Sequence, residues 1–166
     1  MRKSSLFSVG LAGIISLAAP GGLRAQSASI QALANVFQPI TITGARDLDF
    51  GNVFPGVNKT IAVADPTSGR FDLTGQASAN VNLTFTLPAN LTSGANNLPI
   101  GTWTGCHNAT NSTAGCTSFT PSGAPTAASF SGAGALFVWV GATVSPAAAQ
   151  AAGNYTGTVT LSVAYF

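Results

Sequence analysis

Gly153-Asn154-Tyr155-Thr156-Gly157-Thr158-Val159-Thr160-Leu161-Ser162-Val163-Ala164-Tyr165-Phe166 is the stretch whose pattern decides the fold. Tyr155, Val159, Leu161, Val163 and Tyr165 share one phase of a two-residue period, and Thr, Ser and Ala fill most of the positions between them. Successive side chains of a strand point to opposite faces, whereas a helix brings i, i+3 and i+4 together. A period of two therefore predicts a half-buried strand over residues 154–166.

The same signal recurs upstream. Val81, Leu83, Phe85 and Leu87 alternate with Asn82, Thr84 and Thr86 until Pro88 ends the run. Ile40 and Ile42 alternate before Gly44, Ile61 and Val63 before Asp65-Pro66, and Phe71 and Leu73 before Gly75. Leu48 to Val53 reads as a further strand, stopped by Pro55-Gly56. From Ala135 to Val144 the apolar run is nearly continuous, which suits a central strand covered on both faces. Residues 90–131 lose the pattern. A structureless connection of that length is unusual, so short strands or a surface excursion are expected there. Pro146 to Ala152 predicts one helical turn or a loop. Seven or more short strands separated by Gly, Pro and Asn turn signals predict an antiparallel β-sandwich.

Composition agrees. The chain has no Glu, and Thr, Ser, Asn, Ala and Gly abound. Surface helices rely on Glu, Lys, Arg and Gln, which are scarce here. At the front, Arg2 and Lys3 precede the apolar stretch Leu6 to Ala19, then Pro20-Gly21-Gly22 and a small-residue site ending at Ala25. These features predict a secretory signal peptide over 1–25, too short in its apolar part to span a bilayer. An N-terminal extension, 26–38, and one domain, 39–166, follow. The whole chain's formal charge of +2 owes its sign to Arg2, Lys3 and Arg24 of the leader. The remainder carries Arg46, Lys59 and Arg70 against Asp47, Asp49, Asp65 and Asp72, one net negative charge. No cluster of cations remains to displace counterions, which excludes nucleic acid as a partner. Cys106 and Cys116, the only cysteines, predict a disulfide closing a short loop in an oxidising compartment.

The ending resembles the terminal strand of chaperone–usher pilus subunits: a glycine fourteenth from the end (Gly153), alternating apolar residues and a penultimate tyrosine (Tyr165). Leu48-Asp49-Phe50-Gly51 and Gly153 to Gly157 also resemble a family of secreted bacterial domains of unknown function, over nearly the whole of 26–166. The pilin resemblance implies an immunoglobulin-like sandwich that lacks its last strand and so leaves an apolar groove beside the C-terminal strand. A periplasmic chaperone, and then the N-terminal extension of the next subunit, would fill that groove by strand addition after delivery to an outer-membrane usher. The donor would be Ser27 to Phe37, with Ala28, Ile30, Ala32, Ala34 and Val36 on one face. Ile30, Leu33, Ala34 and Phe37 fit helical spacing as well. Many pilins place their disulfide between early strands, and in that respect the late pair here departs.

No residue pattern supports catalysis, a metal or a cofactor. His107 is the only histidine and lies in a polar stretch far in sequence from every Asp. The four Asp lack the density of a calcium loop and read as solvated or turn-capping groups. Six Asn-x-Thr triplets arise from composition. Trp139 reads as core, and Trp103, near the cysteines, is the candidate ligand-facing aromatic. The expectation is a non-enzymatic structural subunit of a surface fibre, exported through the periplasm. The alternative is a secreted binding or coat-type module in which 27–37 completes its own sandwich.

Overall fold

The computed structural model describes residues 26–166, so the leader expected at 1–25 lies outside the described residues. Two units are distinguished, residues 1–34 and 35–166. In the first, residues 26–34 form neither strand nor helix and their side chains are exposed. Among the described residues there is no helix.

The second unit is an immunoglobulin-like antiparallel β-sandwich. Its strands are β1 (Thr41–Arg46), β2 (Lys59–Ile61), β3 (Gly69–Thr74), β4 (Asn80–Thr86), β5 (Asn90–Ser93), β6 (Asn96–Asn108), β7 (Thr117–Phe119), β8 (Thr126–Ser129), β9 (Ala135–Val144) and β10 (Thr160–Tyr165). One sheet runs in the order β1-β3-β9-β6-β5, with β2 added on β9 and β7 on β6. The other runs β10-β4-β8. The register pairs Leu161 with Phe85, Val163 with Leu83 and Tyr165 with Val81, so the alternating sets of β4 and β10 share one face. That face meets Leu73, Leu136, Val138 and Val140 of the first sheet, and Val81, Leu83 and Leu136 have no accessible surface. A second apolar cluster joins Phe50, Ile61, Leu98, Ile100, Ala142 and Val144.

The run in β9 is covered on both faces, as its composition predicts. Leu136, Val138, Val140, Ala142 and Val144 point into the two clusters, while Trp139 points outward and is still buried. Its ladder neighbours are Arg70 on one side and Cys106 on the other. The loop closed by the Cys106–Cys116 disulfide lies on this side, where Arg70 Nη1 donates to Asn111 Oδ1 at 3.1 Å. Arg70 also pairs with Asp72 at 2.8 Å. Replacing both cysteines by Ser is expected to cost at most about 3 kcal/mol, because the bridge closes a short loop. Thermal unfolding with and without reductant checks this, and the sandwich should survive.

Two expectations need correction. Leu48 to Val53 is not a strand: Asp49 Oδ1 accepts from the Gly51 amide at 2.7 Å, and Gly51 sits at φ 55°, a turn that glycine adopts without strain. Regular pairing at the C terminus begins at Thr160 instead of Asn154, leaving only a bridge between Thr156 and Thr92. Tyr155 turns into the second cluster and its hydroxyl donates to Ala151 O at 2.8 Å, which takes it out of the phase of Leu161, Val163 and Tyr165. Residues 90–131 contain short strands as expected, β5, β7 and β8, together with β6, the longest among the described residues. A bulge between Gly101 and Thr104, with Thr102 at φ 48°, breaks its alternation and hides it from a pattern reading. Pro146 to Ala152 is a loop with a turn from Ala147 to Gln150.

Candidate functional site

Both sheets stop at the same side of the sandwich. β1 pairs only with β3, and β10 pairs only with β4, so each leaves one edge of backbone N–H and C=O groups without a strand. Where the end of β1 meets the stretch leading into β10 lies a groove of about 1000 Å³, lined by Gly44 and Arg46 of β1, Phe71 of β3, Val140 of β9, and Thr158 and Val159 just before β10. It extends past Arg46 to Val53, Phe54 and the stretch from Gln150 to Thr156.

The apolar residues that flank this groove are incompletely covered. Ile42, paired with the fully buried Leu73, is 37% exposed. Phe71, Val159 and Val163 pack against the first cluster but stay only half-buried. One strand further in, Leu83, the ladder partner of Val163, and Val138 of β9 have no exposure at all. Half-covered apolar side chains thus lie along the strip between β1 and β10, and others, Leu87 and Phe119 among them, lie elsewhere on the rim of the core. At one end Arg46 closes the floor, its Nε donating to Ser68 O at 2.6 Å and its Nη2 to the buried Ser68 Oγ at 2.8 Å.

At the far end of β10, outside the lining of that groove, stands Tyr165. Its hydroxyl donates to Gln38 O at 2.7 Å and accepts from the Gln76 amide at 2.6 Å. The ring meets Phe37 edge-on at 5.1 Å and Phe130 at 6.1 Å. Gly75 makes room for this arrangement, since a Cβ there would lie 2.6 Å from the Tyr165 hydroxyl. Gln38 N completes the junction by donating to Gln76 Oε1 at 3.3 Å. Gln38, Gln76 and Phe37 carry no chemistry that a sequence pattern would single out. The only local signal is Pro39, which biases Gln38 towards an extended backbone.

The residues expected to form the donor strand are unpaired. Ala28, Ile30, Ala32, Ala34 and Val36 are exposed, Ile30 and Val36 almost completely (97% and 90%). Neither the strand nor the helix reading of this segment has a counterpart in the single chain. Of the C-terminal set, Val159, Leu161, Val163 and Tyr165 face the first cluster, and Gly153 packs against Ser93. Cys106 and Cys116 are joined, with Cα atoms 5.8 Å apart. Trp103 is half-buried against the second cluster and lines neither the groove nor the smaller pocket beside His107.

Most of the charged side chains have structural partners. Asp49 and Asp65 cap turns, Asp65 Oδ2 accepting from the Ala62 amide at 2.7 Å. Among the described residues no three His, Cys, Asp or Glu side chains gather as a metal site. His107 lies 5.8 Å from the Phe119 ring, and burial holds its pKa below the ordinary 6.5. As pH falls the unfolded chain takes up this proton first, so stability is expected to drop through pH 6.5 and to level once the folded imidazole is protonated too. Thermal midpoints followed from about pH 8 to about pH 5 should show that slope in the wild type and lose it in His107→Gln.

Residues 40–165 match the family described as Domain of unknown function (DUF4402), and the chain belongs to that family. No match to the chain is found among curated proteins or among solved structures.

Proposed function

We propose that this member of the DUF4402 family is a structural subunit of a surface fibre, in which the groove between β1 and β10 receives residues 27–37 of a second copy by donor-strand exchange. One observation carries the reading: the two sheets end in facing unpaired edges over a half-covered core, and the chain itself supplies an unpaired, alternating apolar segment. An added strand would satisfy both edges and cover Ile42, Phe71 and Val163. Edge pairing supplies main-chain hydrogen bonds, and alternate side chains supply the fit.

An open groove and free edges are aggregation hazards for an isolated subunit. The reading therefore includes a periplasmic chaperone that occupies the groove before assembly and an outer-membrane usher that delivers subunits to the surface. The disulfide and the Thr-rich, charge-poor composition support an extracytoplasmic setting. The role is architectural and requires no reaction.

Light scattering on the chain exported to a periplasm tests the proposal. Concentration-dependent polymers, or co-purification with a chaperone, are expected. A stable monomer at high concentration overturns the fibre reading and favours a sandwich completed by its own extension.

A further inference from the structure

The fibre reading leaves one matter undecided: what stops a chain from filling its own groove. Residues 27–37 lie directly before β1, and a hairpin at Gln38-Pro39-Ile40 would lay them along the free edge of β1. We infer that Tyr165 and Gln76 form a latch on Gln38 that prevents this fold-back and reserves the groove for a second copy. The inference rests on the proposed strand exchange and adds its partner choice.

Three observations carry it. First, both backbone groups of Gln38 are already engaged, the carbonyl by the Tyr165 hydroxyl at 2.7 Å and the amide by Gln76 Oε1 at 3.3 Å. A tight hairpin would have to break these contacts to re-aim the Gln38 peptide groups. Second, Pro39 biases Gln38 to an extended conformation, and Gln38-Pro39 is not a two-residue hairpin turn of the Asn-Gly or Asp-Gly kind. Third, direction matters. The chain enters β1 beside Tyr165, where β10 finishes, and Arg46 and Val159 lie together along the groove. The two strands bordering the groove therefore run in opposite directions. A fold-back segment, antiparallel to β1, would run parallel to β10, the weaker ladder against the strand that exposes Val163. A segment arriving from a second copy is free to enter antiparallel to β10.

The latch is a hydroxyl, so Tyr165→Phe removes it and keeps the ring against Phe37 and Phe130. The exported whole chain is unfolded in denaturant and refolded at low concentration with a fluorescent peptide of residues 26–37, then concentrated and sized. Wild-type subunits should capture the peptide, and without it should polymerise. Tyr165→Phe should capture roughly tenfold less peptide and remain largely monomeric, its own extension having taken the groove, which is the shift expected for losing the hydroxyl's pair of hydrogen bonds. A variant that captures peptide and polymerises like the wild type overturns the latch and leaves the fibre reading intact. If the wild type neither captures peptide nor polymerises, the groove reading falls and the latch with it. Gln76→Ala removes the contact to the Gln38 amide alone and should shift capture in the same direction by a smaller factor. It decides between the same two results should Tyr165→Phe fail to refold.

Discussion

A chain beginning at Pro39 is expected to form no polymers while keeping the folded domain and its capacity to bind a chaperone. Residues 26–38 contribute nothing to either core cluster, and Ile30, Leu33 and Val36 stand in solvent, so the truncation removes almost no intrachain packing. The junction contacts of Phe37 and Gln38 with Tyr165 are lost, a cost of about 1–2 kcal/mol. Assembly should suffer far more, because every inter-subunit strand would be missing. Size-exclusion chromatography with light scattering on both chains reads the difference. Intact fibres from the truncated chain would refute the donor assignment. A truncated domain that unfolds, beside a full-length chain that stays monomeric, would transfer the extension from partner to self.

The second large effect is a contrast between two apolar residues. Leu83→Ala should destabilise the isolated subunit by about 3 kcal/mol, since a fully buried leucine loses both transfer energy and cavity contacts. Ile42→Ala should cost well under half of that in the subunit, where the side chain is 37% exposed at the free side of β1. In the assembled fibre the order should change: Ile42 becomes core once a strand covers it, and its replacement should weaken polymers against dissociation by denaturant. Chemical unfolding of subunits and of fibres, measured side by side, separates the two. If Ile42→Ala leaves fibre resistance at the wild-type level, the groove beside β1 is not where the added strand lies.

How far the sequence carried this result depends on the segment. The alternation in Val81 to Phe85 and Phe71 to Leu73 marks β4 and β3, each with one regular face on the core, and the near-continuous apolar run from Ala135 to Val144 marks β9, covered on both faces. β6 escaped because a bulge and Gly101, Gly105 and Cys106 interrupt its alternation, and its place between β9 and β5 in the first sheet depends on what it pairs with. Leu48 to Val53 misled for the opposite reason: its apolar positions suit a strand, but Asp49 finds the Gly51 amide locally and folds the chain into a turn. Trp103 packs on the second cluster through strands distant in sequence, a contact that its polar neighbours in the chain do not announce.

The site divides in the same way. The disulfide and the apolar face of the last strand could be named from residues alone, since both depend on short-range spacing and period. The groove could not, because it is an absence between two strands more than a hundred residues apart, β1 and β10, and exists only through their positions in separate sheets. The junction of Tyr165, Gln38 and Gln76 is of that kind too: three ordinary residues whose hydrogen bonds arise where the beginning of the domain meets its end. Local period and turn chemistry determined that this chain is an all-β sandwich. Long-range pairing decided which edges stay open, because a strand's partners are chosen by burial across the whole core and leave no mark on its own alternation.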